Sequence, residues 1–188
     1  NPLGLEDVPF QPWAKAVLAD REANELEPHT RCKPSGVLRQ FLTPYGVEFV
    51  ELPDLQQIYI FDIGGPHTYK TIYMDGRSHP ESPDPTYYGH SVGWWEGDTL
   101  VVDTVGYNEG FWMDREGRPH TNQLHTLEKF TRTNFTTLRY ELTVDDPVPE
   151  LERWAHEIAP NTLLLEENGA VIAYVYYLVL RDVGYVRD

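Results

Sequence analysis

Four histidines and the carboxylates near them are the residues of this chain best suited to chemistry: His79, His90, His120 and His125, with Asp75, Glu96, Asp98, Asp103 and Glu128. Imidazole changes charge near neutral pH and binds metals in its neutral form. Two chemistries follow. In the first, His90 or His125 beside Asp103 or Glu128 moves protons as a general acid or base, with His120 in the same set. In the second, two long polar loops, Arg77 to Tyr88 and Asn108 to Asn122, meet so that His79, His90 and His120 hold zinc or copper with a carboxylate. The spacing does not enforce a metal site, for there is no His-x-His pair and no His-Glu-x-x-His helix. A plainer reading has the histidines donating to loop carbonyls and ordering the loops.

Asp103 shares a strand face with Thr99 and Val101. That places it inward among apolar neighbours, where a carboxylate needs a partner and its pKa rises; a structural Asp bonded to a nearby loop is the equal alternative. Ser91 is a poor nucleophile candidate. Neighbours on a strand point to opposite faces, so His90 cannot easily serve it as base, and the run enters a strand rather than the helix of a nucleophile elbow. Tyr88, Trp95, Trp112 and Arg77 lie around the same loops and are candidate substrate-binding residues, able to line a small-molecule pocket or stack on sugar rings. The aromatics are also ordinary core material for a small β domain.

These residues must be carried by a β scaffold. Short runs bounded by Gly, Pro, Asp or Asn predict strands at Val47 to Leu52, Gln57 to Ile63, Tyr69 to Met74, Val92 to Trp95 and Thr99 to Val105. Others follow at Leu124 to Thr131, Thr137 to Val144, Leu163 to Glu166 and Val171 to Leu180, with hairpin turns at Asn134 to Thr137 and Glu167 to Gly169. Leu138, Tyr140, Leu142 and Val144 alternate with Arg139, Glu141 and Thr143, so one face of that strand is wet. Pro12 to Ala23 predicts a helix that packs through Trp13 and Val17. Cys32 to Gly46 reads as loop, and Glu150 to His156 as a short helix. The expected architecture is one mainly β, antiparallel, barrel-like (calycin-like) domain over 1–188 with an N-terminal helix. Residues 1–46 form a helical and loop lead, 47–147 the β body, and 148–188 a C-terminal helix and hairpin. Closure of the sheet would remove exposed strand edges.

Composition bounds the partners. The chain has 188 residues, 40% of them apolar, enough for a core without staples. Its 15 Lys and Arg face 30 Asp and Glu, a formal charge of -15. Such a surface repels phosphate backbones and anionic membranes, so no nucleic acid is expected as partner and a small-molecule ligand or substrate is. Val171 to Leu180, the longest apolar run, is too short for a membrane span. Cys32 is the sole cysteine, which rules out an internal disulfide within this sequence. The chain begins at Asn1 rather than Met and shows no signal peptide, so residues upstream are expected to have been removed.

Ile72 to Pro80, followed by Tyr88-Gly89-His90-Ser91-x-Gly93-x-Trp95-Glu96-Gly97-Asp98-Thr99-Leu100-Val101-Val102-Asp103-Thr104, resembles a family of bacterial proteins without an assigned activity. The similarity runs from about Pro12 to Pro147, and Val148 to Asp188 departs from it. The resemblance implies a β-rich protein exported to the periplasm or the medium. Together with the residue reading it points to a small exported enzyme of hydrolase or lyase type acting on a small polar or sugar-like molecule. The alternative is a non-catalytic, small-molecule-binding β-barrel protein.

Overall fold

The structure, a computed structural model, describes residues 12–64, 66–146, 162–167 and 170–181. It is mainly β. Among the described residues nine strands form one sheet in the order β1-β2-β3-β4-β5-β6-β7-β9-β8, and the first seven curl into a half-barrel. The strands are β1 (Val47–Leu52), β2 (Gln57–Asp62), β3 (Tyr69–Tyr73), β4 (His90–Glu96), β5 (Thr99–Val105), β6 (His125–Asn134), β7 (Thr137–Asp145), β8 (Thr162–Glu167) and β9 (Ala170–Arg181). Each expected strand is present, with ends moved by a few residues. All neighbours are antiparallel except β3 and β4, which are parallel and share two residue pairs, Ile72 with Ser91 and Tyr73 with Val92. The Asn134 to Thr137 hairpin joins β6 to β7 as expected. Residues 168–169 of the second turn, and the helix expected at Glu150 to His156, lie outside the described residues.

Among the described residues the sheet does not close. Its order is linear and ends at β1 and β8, and the concave side is sealed by packing instead of by a last pair of strands. Alternation sets which residues face it: Ile58 and Ile60 on β2, Leu100 and Val102 on β5, and Tyr140, Leu142 and Val144 on β7 are all buried. Contacts across the trough show the curl. Phe49 of β1 meets Phe130 of β6 edge to face at 5.2 Å, and Lys70 of β3 pairs with Glu128 of β6.

Two segments read as loop fill the concavity. Val37–Phe41 forms a short helix, α2, whose Phe41 ring lies 4.4 Å from Tyr140 and 5.6 Å from Phe130. Five residues are too few to show a helical period, and the Pro and Gly around them read as punctuation. The segment after β5 contributes Tyr107, Phe111, Met113 and Leu124 to the same core. The first helix, α1 (Pro12–Asn24), docks on that segment: Arg21 donates to the Gly117 carbonyl at 2.8 Å and lies over the Trp112 ring at 5.4 Å. The side chain of Trp13 lies outside the described residues. No helix among the described residues is long and apolar enough to cross a membrane.

Gly36, which caps α2, has φ +78, and a Cβ there would sit 2.1 Å from the Phe111 ring. Gly36→Ala therefore combines left-handed backbone strain with overpacking at the mouth of the core. It is expected to lower unfolding free energy by about 2–4 kcal/mol, read from urea denaturation. A loss under half a kcal/mol would show that α2 does not hold the trough shut.

Candidate functional site

The chemistry gathers on the convex face. His90 pairs with Val105, and the β5–β6 register, Thr104 with Thr126, brings His125 level with Val105 from the other side. Asp103 lies two residues along β5 on that same face. Its carboxylate is hydrogen-bonded through Oδ1 to His125 Nε2. The loop between β3 and β4 adds His79, whose Nδ1 is 2.9 Å from His90 Nδ1 and whose Nε2 is 3.7 Å from Asp103 Oδ2. This loop is held to the segment after β5 by a parallel bridge, Thr86 with Tyr107. The result is a chain of contacts, His90 to His79 to Asp103 to His125, across three strands and one loop.

A second layer flanks His90. The Tyr73 ring of β3 stacks on it at 5.1 Å, and the Arg77 guanidinium lies 4.0 Å over Tyr73. Arg77 is itself tied to Asp75, Nε at 2.9 Å and Nη2 at 2.6 Å.

The two outer imidazoles are pulled in opposite directions. The bond to Asp103 raises the pKa of His125 against the opposing effect of burial. Burial lowers that of His90, and the charges of His79 and Arg77 add to the effect. The bond from His125 holds the Asp103 carboxyl below its ordinary value. Asp103 thus departs from the expectation of an inward carboxylate with a raised pKa. Its strand is apolar on both faces, Val101 being as buried as Val102. The face of Thr99, Val101 and Asp103 is the outer one, where two histidines supply partners.

The remaining predicted residues lie elsewhere. Glu128 is on β6 with His125, but an odd spacing on a strand puts it on the opposite face. There it is fully buried, paired with Lys70 and accepting the Tyr140 hydroxyl at 3.0 Å. His120 is buried against Phe111, with ring centroids 4.0 Å apart, and its nitrogens face the carbonyls of Thr121 and Phe111 at 3.0 and 3.2 Å. It orders its loop and touches neither His79 nor His90. The expected trio of metal ligands therefore does not converge, and among the described residues no three His, Cys, Asp or Glu side chains are placed to hold an ion. Tyr88 is buried with its hydroxyl 3.0 Å from Thr68 Oγ1, and burial pushes its pKa up to about 12. Trp112 packs beneath Arg21, and Trp95 is exposed at the far end of β4. Ser91 faces inward to Thr104, 2.9 Å away, as its position beside His90 requires.

Of the candidates, His79, His90, Asp103, His125 and Arg77 come together. Tyr73 was missed as part of the site, although its place beside the parallel joint to β4 is what brings it onto His90.

Burial lowers the His120 pKa in the folded chain. The unfolded chain then takes up the extra proton first as pH falls, so this contribution to stability is present above about pH 6.5 and is lost as pH drops towards the folded pKa. Removing the group in His120→Gln is expected to flatten the acid side. The urea midpoint should fall less between pH 7 and pH 5 than in the parent; an equal fall would mean that His120 titrates alike in both states.

No family model, no curated protein and no solved structure matches the chain.

Proposed function

We propose that this chain is an enzyme of hydrolase or lyase type, working by general acid–base chemistry at the convex-face cluster on a small polar or sugar-like molecule. The observation that carries the reading is the chain of contacts that places His90 and His125 on one face with His79 and Asp103 between them; burial at one end and the carboxylate at the other push the two pKa values apart. Groups whose environments drive their pKa values apart are suited to be base and acid of one reaction. His90, whose pKa burial lowers, takes a proton at Nε2, since its Nδ1 is engaged by His79. His125, whose pKa the bond to Asp103 raises, gives one from Nδ1, its Nε2 being engaged by Asp103. Asp103 positions His125 and stabilises its charge. His79 engages His90 Nδ1 and so fixes the ring that works through Nε2; after turnover His90 Nε2 returns its proton to water and His125 Nδ1 regains one from water. Arg77 and Tyr73 border the side where a substrate meets His90.

The binding-protein alternative needs a ligand inside the barrel. That space holds Phe41, Phe130 and Tyr140 in mutual ring contact, which favours the outer face. Export to the periplasm or the medium, drawn from the resemblance around His90 to Thr104, is part of the same proposal. The test is turnover of a panel of small chromogenic esters and glycosides between pH 4 and pH 9. A bell-shaped profile abolished by His90→Ala and by His125→Ala supports the reading, and turnover unchanged in both variants rejects it.

A further inference from the structure

Beyond the cluster the convex face carries three large rings that the core does not need. Tyr59 and Phe61 of β2 and Tyr69 of β3 point outward because Ile58, Ile60, Lys70 and Ile72 take the inward positions. The rings touch one another: Tyr59 and Phe61 are stacked at 6.0 Å, Tyr59 meets Tyr69 edge to face at 5.4 Å, and Phe61 lies 5.6 Å from Tyr69. Tyr69 remains 52% exposed. A contiguous aromatic surface of this kind marks a place of contact. It is rimmed by hydrogen-bonding side chains. Tyr59 donates to Gln57 at 2.6 Å, Thr71 stands opposite Tyr59 in the register, and Glu48 stands opposite Phe61.

The row continues into the cluster. Along β3 the same face presents Tyr69, Thr71 and Tyr73, and Tyr73 is the ring that stacks on His90. At a rise of about 3.3 Å per residue, Tyr69 to Tyr73 spans about 13 Å, longer than one sugar ring. A ligand suited to it has apolar faces for the rings, hydroxyl edges for Gln57, Thr71 and the tyrosine hydroxyls, and several units in line. Its charge follows from the protein's. A formal charge of -15, with Glu48, Asp75 and Asp103 beside the row, repels acidic polymers.

From this we infer that Tyr59, Phe61 and Tyr69 form the binding platform for a neutral oligosaccharide, laid along β3 with one end at His90. The platform deepens the acid–base reading and rests on it only for what happens at that end; binding itself does not need it.

The experiment is isothermal titration of the full chain with cellohexaose, xylohexaose and mannohexaose, and with hexagalacturonate as the acidic counterpart. At least one neutral hexaose should bind. Tyr59→Ala/Tyr69→Ala should weaken it by at least about tenfold with an unchanged melting temperature, while Tyr59→Phe/Tyr69→Phe keeps most of the affinity. The inference is overturned if no neutral hexaose binds, if the double alanine variant binds normally, or if hexagalacturonate is preferred. It is also overturned if the double variant instead dissociates a dimer in sedimentation, since the face would then be a self-association surface. Normal binding with no histidine-dependent turnover would leave the platform standing and remove the catalytic reading.

Discussion

Replacing Glu128 by alanine is expected to remove about 3–5 kcal/mol of stability, the largest effect of any single substitution discussed for this chain. Lys70 and Glu128 come from strands three places apart in the sheet and meet inside the trough with almost no solvent exposure. The truncation leaves an ammonium buried without a counter-charge and deprives the Tyr140 hydroxyl of its acceptor. Set against the roughly 5–15 kcal/mol that holds a typical domain together, the variant should be partly unfolded at 37 °C. Lys70→Met/Glu128→Leu should recover much of the loss, because exchanging both charges for apolar groups of similar size removes the desolvation cost with the attraction. Recovery should stay incomplete, as Tyr140 keeps an unpaired hydroxyl. Urea denaturation of the two variants decides it. A double variant no better than the single one would show that the pair is needed for its geometry and not only for its neutrality.

The second large effect concerns rate. Loss of a general acid or base typically costs about 10²–10⁴-fold in turnover, and that range is expected for His90→Ala and for His125→Ala on any substrate the chain turns over. The pH profile carries the assignment further. The acid limb reports the deprotonation of His90 and should lie below the ordinary histidine value, since burial lowers that pKa. The alkaline limb reports the loss of the His125 proton and should lie above it, since Asp103 raises that one. Asp103→Asn keeps the shape of the side chain and removes the charge. It should bring the alkaline limb back towards about pH 6.5 while leaving the acid limb in place. An alkaline limb that does not move in Asp103→Asn would detach His125 from the acid role.

The strands were legible because each is a short run of β-formers closed off by Gly, Pro, Asp or Asn, and because β7 alternates cleanly. What sequence could not supply was the side of the sheet. On β5 both Val101 and Val102 are buried, so alternation did not tell concave from convex, and Asp103 was assigned inward. The grouping of His125 with Glu128 fails for a simpler reason, an odd spacing on one strand, which was available in the sequence. Ser91 shows the same rule applied correctly. Trp112 and His120 were drawn to the site by their loop, whose neighbouring Phe111 is in fact core, sealing the trough. A polar segment that folds inward looks, residue by residue, like one that rims a pocket. The contact of His79 with His90 is legible only once the loop between β3 and β4 has a course.

The parallel joint between β3 and β4 has a consequence for how the protein comes into being. On one side lies the β1–β3 meander, on the other β4–β7, each built from antiparallel neighbours, with residues 106–124 running between β5 and β6. Between them stand two residue pairs that close over residues 74–89. Chains are made from the N-terminus and local pairings form faster than distant ones, so β3, its loop and β4 are in place before β6 can reach β5. Tyr73 and His79 lie just upstream of His90, whereas Asp103 waits for His125 from beyond that longer link. A nascent chain therefore holds the surroundings of its base before it holds its acid, and the centre becomes competent when β6 is laid against β5.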